Sequence, residues 1–456
     1  MSSVARPYAG LYDERGSDRG VDWRESGAYN CATMKLLIKN GRLVDPSRTR
    51  CPKRDILVSD GRIARIAPRI STRAPVIDAD GCLVLPGLID LHCHLREPGQ
   101  EEKETIETGT RAAVAGGFTT VCCMPNTIPP LDNRIAIGFV RARSRQAACE
   151  VLPIGAITVG REGKALAPYG EMVEEGAVGF SDDGSFVMDS QLMRRALEYS
   201  KLFGTPVISH AEDQSLTKNG VMNEGALSTK LGLPGAPREA EEIAISRDIA
   251  LARLTGGRLH IAHVTTAAGV DLIRRAKKEG LAVTCEVTVH HLVLTEEAVA
   301  GYDTNAKVSP PLRTEDDIKA LIRGLKDGTI DAIVTDHAPH TREEKESGFE
   351  EAPFGMIGFE TALSLALSLQ EEGLSLQEIV AKMTVGPAKA FGLHRGMIAD
   401  GRRADLVIFD PDRQWVYARE SVVSKSANSP FLNRTLKGKV VATISNGKIA
   451  YQSQME

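Results

Sequence analysis

Eight short apolar runs, each closed by polar residues, do most to limit how this chain can fold. They are LVLPGLIDLHCHL, TTVCCMPNT, EVLPIGAIT, AVGFSDDG, TPVISHAED, RLHIAHVTT, LAVTCEVTVHH and DAIVTDHAPH. Between them, residues 104–115, 191–203, 239–254 and 316–326 repeat apolar positions at helical spacing. Strands continuous in Val, Ile, Leu and Ala are buried on both faces, and their alternation with helices predicts a parallel sheet. Eight such units fit a TIM-like (β/α)8 barrel. An open doubly wound sheet would need polar strand ends only at its switch point. Here nearly every run ends on them, which favours the barrel with its mouth at the C-terminal strand ends.

Shorter alternating strands with Gly turns flank this region, from residue 35 to about 85 and again near the C-terminus. Neither group is a stable unit alone, so both are expected to pack as one small β-sandwich. The expected division is a disordered extension over 1–33, sandwich over 34–86, barrel over 87–392 and the rest of the sandwich over 393–456. A chain of 456 residues accommodates one large domain plus a smaller one.

With 42% hydrophobic residues, 25% charged residues and a formal net charge of −4, nucleic acid and anionic membranes are not expected partners. No apolar run is long enough to span a bilayer, and residues 1–33 lack the apolar core of a secretory signal. The eight cysteines show no Cys-x-x-Cys spacing, which points to reduced thiols in a cytoplasm.

The first run carries His92 and His94 two residues apart, so both project to one face of a strand while Cys93 points away. Arg96 follows two steps later, placed to meet the anionic end of a substrate. Asp183, His210, His263 and Asp336 close later runs. Four imidazoles and two carboxylates suit Zn²⁺, and six ligands suggest two ions with Asp183 as the candidate bridge. Two such ions would lower the pKa of a shared water towards neutrality.

Other features have plainer explanations. Gly116-Gly117 precedes a strand and signals tight packing rather than a phosphate loop. Cys122 and Cys123 are neighbours on a strand, so they face opposite sides and belong to the core. His260, His290, His291 and His394 are expected to be structural, and His337 to brace the loop after Asp336. The acids in 238–242 suit a helix N-terminus.

The ordered set of Gly87-x-x-Asp90-x-His92-x-His94-x-Arg96, Cys123-Met-Pro-Asn126-Thr127, Phe180-Ser-Asp-Asp183-Gly, His210-Ala-Glu-Asp213 and Thr335-Asp336-His337-Ala-Pro-His340 resembles the amidohydrolase superfamily. More narrowly, it is similar to class I dihydroorotases, from about Lys35 to the C-terminus. The resemblance implies a cyclic-amide hydrolase that interconverts N-carbamoyl-L-aspartate and (S)-dihydroorotate in pyrimidine synthesis. It further implies one zinc on His92, His94 and Asp336, a second on His210 and His263, and Asp183 between them. Arg96, Asn126 and His340 would bind the substrate carboxylate, with Asp336 as general base and acid. Phe354-Gly355 would lie in a loop touching the ring. Relatives such as hydantoinases usually carry a carboxylated lysine where this chain has Asp183. The family's Asn before Pro-Pro-Leu-Arg is Ser309 here, whose shorter side chain would reach substrate at longer range or through water, and Val289 stands where relatives often have Pro. Association with aspartate transcarbamoylase and homo-oligomerisation are further implications.

Overall fold

The structure is a computed structural model that describes residues 35–46 and 50–453, so the extension expected over 1–33 lies outside the described residues. All eight apolar runs contain strands: β1 (Leu88–Cys93), β2 (Phe118–Cys123), β3 (Glu150–Pro153), β4 (Phe180–Ser181), β5 (Val207–Ser209), β6 (Leu259–Ile261), β7 (Val283–Thr288) and β8 (Ala332–Val334). Strands β1–β3 form one parallel set and β4–β8 another. Single parallel bridges, Gly155 to Phe180 and Cys93 to His337, join the two sets into a closed barrel.

The pleat sorts side chains between two cores. Cys122 packs inside the barrel with Ile89, Leu91, Ile208, Ala262 and Val334, and helix Val385–Phe391 adds Ala388, Ala390 and Phe391 to that cluster. Cys123 faces the outer layer with Phe118 and Val121, as expected of adjacent strand positions. Helices Ile106–Ala115, Ser190–Ser200, Glu239–Thr255 and Glu315–Lys326 occupy the expected segments to within a few residues. Glu104, expected in the first, lies before its Thr105 cap and is fully buried. Gly116 permits close packing, since a Cβ there would sit 2.0 Å from the Phe359 carbonyl oxygen.

Both ends of the described chain meet in the smaller domain. Lys35–Leu43, Lys53–Ser59, Arg62–Ala67, Val76–Asp78, Leu83–Pro86, Leu406–Val416, Thr435–Ser445 and Lys448–Gln452 belong to one sheet. Its layers are therefore hydrogen-bonded to one another. Lys35–Leu43 is the branch point, pairing with Lys53–Ser59, Val76–Asp78 and Leu83–Pro86. Branching lets the sheet enclose Leu36, Ile38, Ile56, Val84, Leu406 and Ile444. Antiparallel pairing of Leu83–Pro86 with Leu406–Phe409 joins the two ends. Among the described residues no helix is long and apolar enough to cross a membrane.

Candidate metal centre and substrate cavity

The six side chains singled out at strand ends converge at the barrel mouth. Asp183 is central: its oxygens lie 3.2 Å from His92 Nε2, 3.6 Å from His94 Nε2, 3.5 Å from His210 Nδ1 and 3.7 Å from His263 Nε2. Asp336 Oδ1 lies 3.0 Å from His94 Nε2 and 3.6 Å from His92 Nε2, and His263 Nε2 lies 2.9 Å from His210 Nδ1. All six are buried. Burial alone would lift Asp183, yet the charge of His92 and the close imidazoles of His210 and His263 hold its carboxyl well below the usual range.

Two trios, His92–His94–Asp336 and His92–Asp183–His263, bring their donor atoms within 4.8 Å of one another. His92 Nε2 and Asp183 Oδ1 are buried without a hydrogen-bond partner. Such atoms are rare in proteins, and a cation would satisfy both. The donor set fits a metal cofactor.

A second layer of polar groups aims these ligands. Glu286, in the middle of β7, accepts from His92 Nδ1 at 2.7 Å, which turns Nε2 towards the cluster. Its other oxygen lies 3.1 Å from His260 Nε2, while His260 Nδ1 meets Thr284 Oγ1 at 2.8 Å. Burial opposes ionisation of Glu286, but His260 and His92 bring its pKa to about 2. Glu212 takes His210 Nε2 at 3.1 Å and so directs Nδ1 inward. Carboxylate partners of this kind fix tautomer and ring orientation in metal sites. Asp182 accepts from the N–H groups of Ile157 and Thr158 at 2.9 and 3.1 Å. Neither Glu286 nor Glu212 emerged as a site residue from the sequence. A charged residue inside the apolar run TCEVTV was the available signal for Glu286.

Backbone strain gathers at the same place. Arg96, His263 and Asp336 adopt positive φ values of 61°, 30° and 46°. For residues with a Cβ this costs on the order of 1 kcal/mol each and persists where the surroundings fix the conformation.

A cavity of about 570 Å³ opens onto the cluster and is also lined by Arg96, Asn126, Ser309, His340, Phe354 and Gly355. Arg96 is buried, donates through Nε to the Pro339 carbonyl at 3.1 Å, and places Nη2 3.2 Å from His340 Nε2. Burial lowers its pKa only to about 10, so it stays cationic. Among the described residues no carboxylate lies within ion-pair distance of this guanidinium. Burial, reinforced by Arg96, holds His340 neutral with a pKa of about 3. His340 Nε2 also lies 2.9 Å from the Phe354 carbonyl. Gly355 needs its glycine: φ is +131°, and a Cβ would meet Ala338 Cβ at 2.7 Å and His340 Nε2 at 3.2 Å.

Two of the expected substrate contacts also bond to protein groups. Asn126 Oδ1 accepts from His94 Nδ1 at 2.8 Å, with Nδ2 3.4 Å from Asp183 Oδ2. The Ser309 hydroxyl donates to Glu212 at 2.8 Å. Both still line the cavity. His337 stacks on Phe359 with centroids 4.1 Å apart and accepts from Gly358 N at 3.2 Å, bracing the loop after β8.

Imidazoles and carboxylates gathered at the mouth of a (β/α)8 barrel, beside a buried cationic pocket, define a cyclic-amide hydrolase of the amidohydrolase superfamily. A family model described as "Amidohydrolase family" matches residues 242–451, and one described as "Dihydro-orotase-like" matches residues 81–268. The dihydroorotase of Pelobacter propionicus is 50% identical over 423 residues, covering 92% of this chain and 100% of its own length. That of Pelotomaculum thermopropionicum is 52% identical over 425 residues, with the same coverage. The chain belongs to the dihydroorotase family. Among solved structures, the L-hydantoinase (dihydropyrimidinase) of Arthrobacter aurescens superposes with a TM-score of 0.82 at 27% identity, covering 92% of this chain and 96% of that one.

Proposed function

We propose that this enzyme interconverts N-carbamoyl-L-aspartate and (S)-dihydroorotate for pyrimidine synthesis, using two zinc ions. His92, His94 and Asp336 would hold one ion, His210 and His263 the other, with Asp183 between them. The observation that carries the substrate assignment is Arg96, a buried cation that has no carboxylate partner among the described residues, on the wall of the metal-centre cavity. A buried charge is costly until paired, and the guanidinium fork matches a carboxylate. The neutral rings of hydantoin and allantoin would leave it unpaired.

When bound, the metal supplies Lewis-acid polarisation of the scissile carbonyl and a more acidic water. The chain's own groups do the rest. Arg96 and His340 hold the substrate carboxylate, while Asn126 keeps His94 in register. The Gly355 backbone lies against the ring. Asp336 takes the proton of the attacking water and passes it to the departing ring nitrogen, and in the synthetic direction it returns that proton.

Turnover of dihydroorotate, hydantoin and allantoin, measured side by side with metal quantified, tests this function. Dihydroorotate should be strongly preferred, with about two zinc ions per chain. Preference for a neutral ring would overturn the substrate, and inactive metal-free protein would favour a scaffold role. A cytoplasmic location, a homo-oligomer and contact with aspartate transcarbamoylase complete the proposal. Size measurements with and without the transcarbamoylase test the last two.

A further inference from the structure

Asn428 sits in an irregular segment between strands Leu406–Val416 and Thr435–Ser445, far along the chain from the barrel, yet its side chain is buried. Its amide bonds to both loops that carry the cationic pocket. Oδ1 accepts from His340 N at 3.0 Å, and Nδ2 donates to the carbonyls of Ala338 at 3.0 Å and Gly355 at 3.1 Å. The Asn428 carbonyl in turn accepts from Ile357 N at 2.9 Å. The segment is itself tied down: Lys425 N donates to Glu104 at 3.2 Å, Ser426 Oγ to the Lys103 carbonyl at 2.7 Å, and Val423 N to Glu360 at 3.0 Å.

We propose that Asn428 is a positioning residue for substrate specificity. It sets the separation between His340 and the Phe354-Gly355 backbone, and through it the smaller domain shapes the subsite that receives the substrate carboxylate. This rests on the assignment of Arg96 and His340 to that carboxylate. A planar amide offers one acceptor and two donors, the complement of one N–H and two carbonyls. Aspartate at this position would turn an anion towards two carbonyl oxygens, and alanine would leave three buried backbone groups unpaired. A displacement of about 1 Å in a substrate-positioning group can cost on the order of a hundredfold.

The test compares wild type, N428A, N428D and R96M in the metal-loaded enzyme. It reads KM and kcat for dihydroorotate, inhibition by orotate, metal content and Tm. N428A and N428D should raise KM and the orotate inhibition constant together by about ten- to a hundredfold. Their kcat should stay within about threefold of wild type and their metal content unchanged. Both constants within twofold of wild type in folded protein, or a loss confined to kcat or metal, would overturn the proposal. Should N428A not fold, N428D and N428S are judged by the same criteria. If R96M leaves the dihydroorotate KM intact, the carboxylate assignment itself fails; if R96M acts and the Asn428 variants do not, only the positioning role fails.

Discussion

Glu286 Oε1 lies 2.7 Å from His92 Nδ1, with both side chains fully buried. This contact commits His92 to one tautomer and leaves Nε2 for the metal. Glu286→Ala should weaken metal affinity by about ten- to a hundredfold, read by competition with a chelator. Glu286→Gln, whose carbonyl still accepts from Nδ1–H, should lose less. Wild-type affinity in Glu286→Ala would remove the orienting role.

Arg96→Met should lower kcat/KM for dihydroorotate at least about a hundredfold, because charge-assisted hydrogen bonds contribute roughly 1.5–3 kcal/mol each. Metal content should not change. Arg96→Lys should recover little, since an ammonium cannot reproduce the fork. Steady-state kinetics with metal analysis on the same samples decides the matter.

Replacing Asp336 by Asn removes the proposed proton carrier. A fall in kcat of about 10²–10⁴ is expected, the usual range for a general acid–base. Asp336 is also a proposed ligand, so activity must be expressed per bound metal. Near-normal turnover per metal would exclude it as the proton carrier.

Gly355→Ala places a methyl 2.7 Å from Ala338 Cβ on a backbone at φ +131°. The strain is of order 1–3 kcal/mol. Tm should fall, and KM should rise more than kcat falls because the loop faces His340. An unchanged KM would mean the loop does not shape the substrate pocket.

Glu360 gives a pH test remote from the metal. Burial lifts its carboxyl to about 7, against hydrogen bonds from Val423 N and Ser424 N that favour the charged form. The unfolded chain releases this proton near pH 4.3. Between those values the native state holds a proton that the unfolded state has lost, so this group's contribution to stability falls as pH rises. Glu360→Gln should therefore gain in Tm relative to wild type between about pH 5 and pH 8. A constant difference across that range would contradict the raised pKa.

The barrel was legible because each of β1–β8 lies in a largely apolar run that alternates with helical spacing, and the candidate ligands because most sit where a run ends. His92 and Asp336 lie 244 positions apart in sequence, but each carried its own local signal. Glu286 carried only a charge inside an apolar run, and its meaning depends on a histidine 194 residues away. Asn428 was illegible for a related reason: an irregular segment has no period, and its partners were visible only once the loops had been placed. The Ser309 hydroxyl also bonds to Glu212, a pairing no spacing rule encodes. The flanking strands were found, but the branch at Lys35–Leu43 follows from three-way pairing that alternation cannot express.

Because Leu83–Pro86 pairs on one side with Lys35–Leu43 and finds its other neighbour at Leu406–Phe409, the entire catalytic barrel is an insertion within the smaller sheet. A nascent chain that has emerged only as far as the barrel exposes an unpaired apolar edge, the kind that invites aggregation. Shortening the C-terminal strands should therefore damage solubility before catalysis, and a ribosome-stalled fragment ending near residue 400 should depend on chaperones in a way the finished enzyme does not.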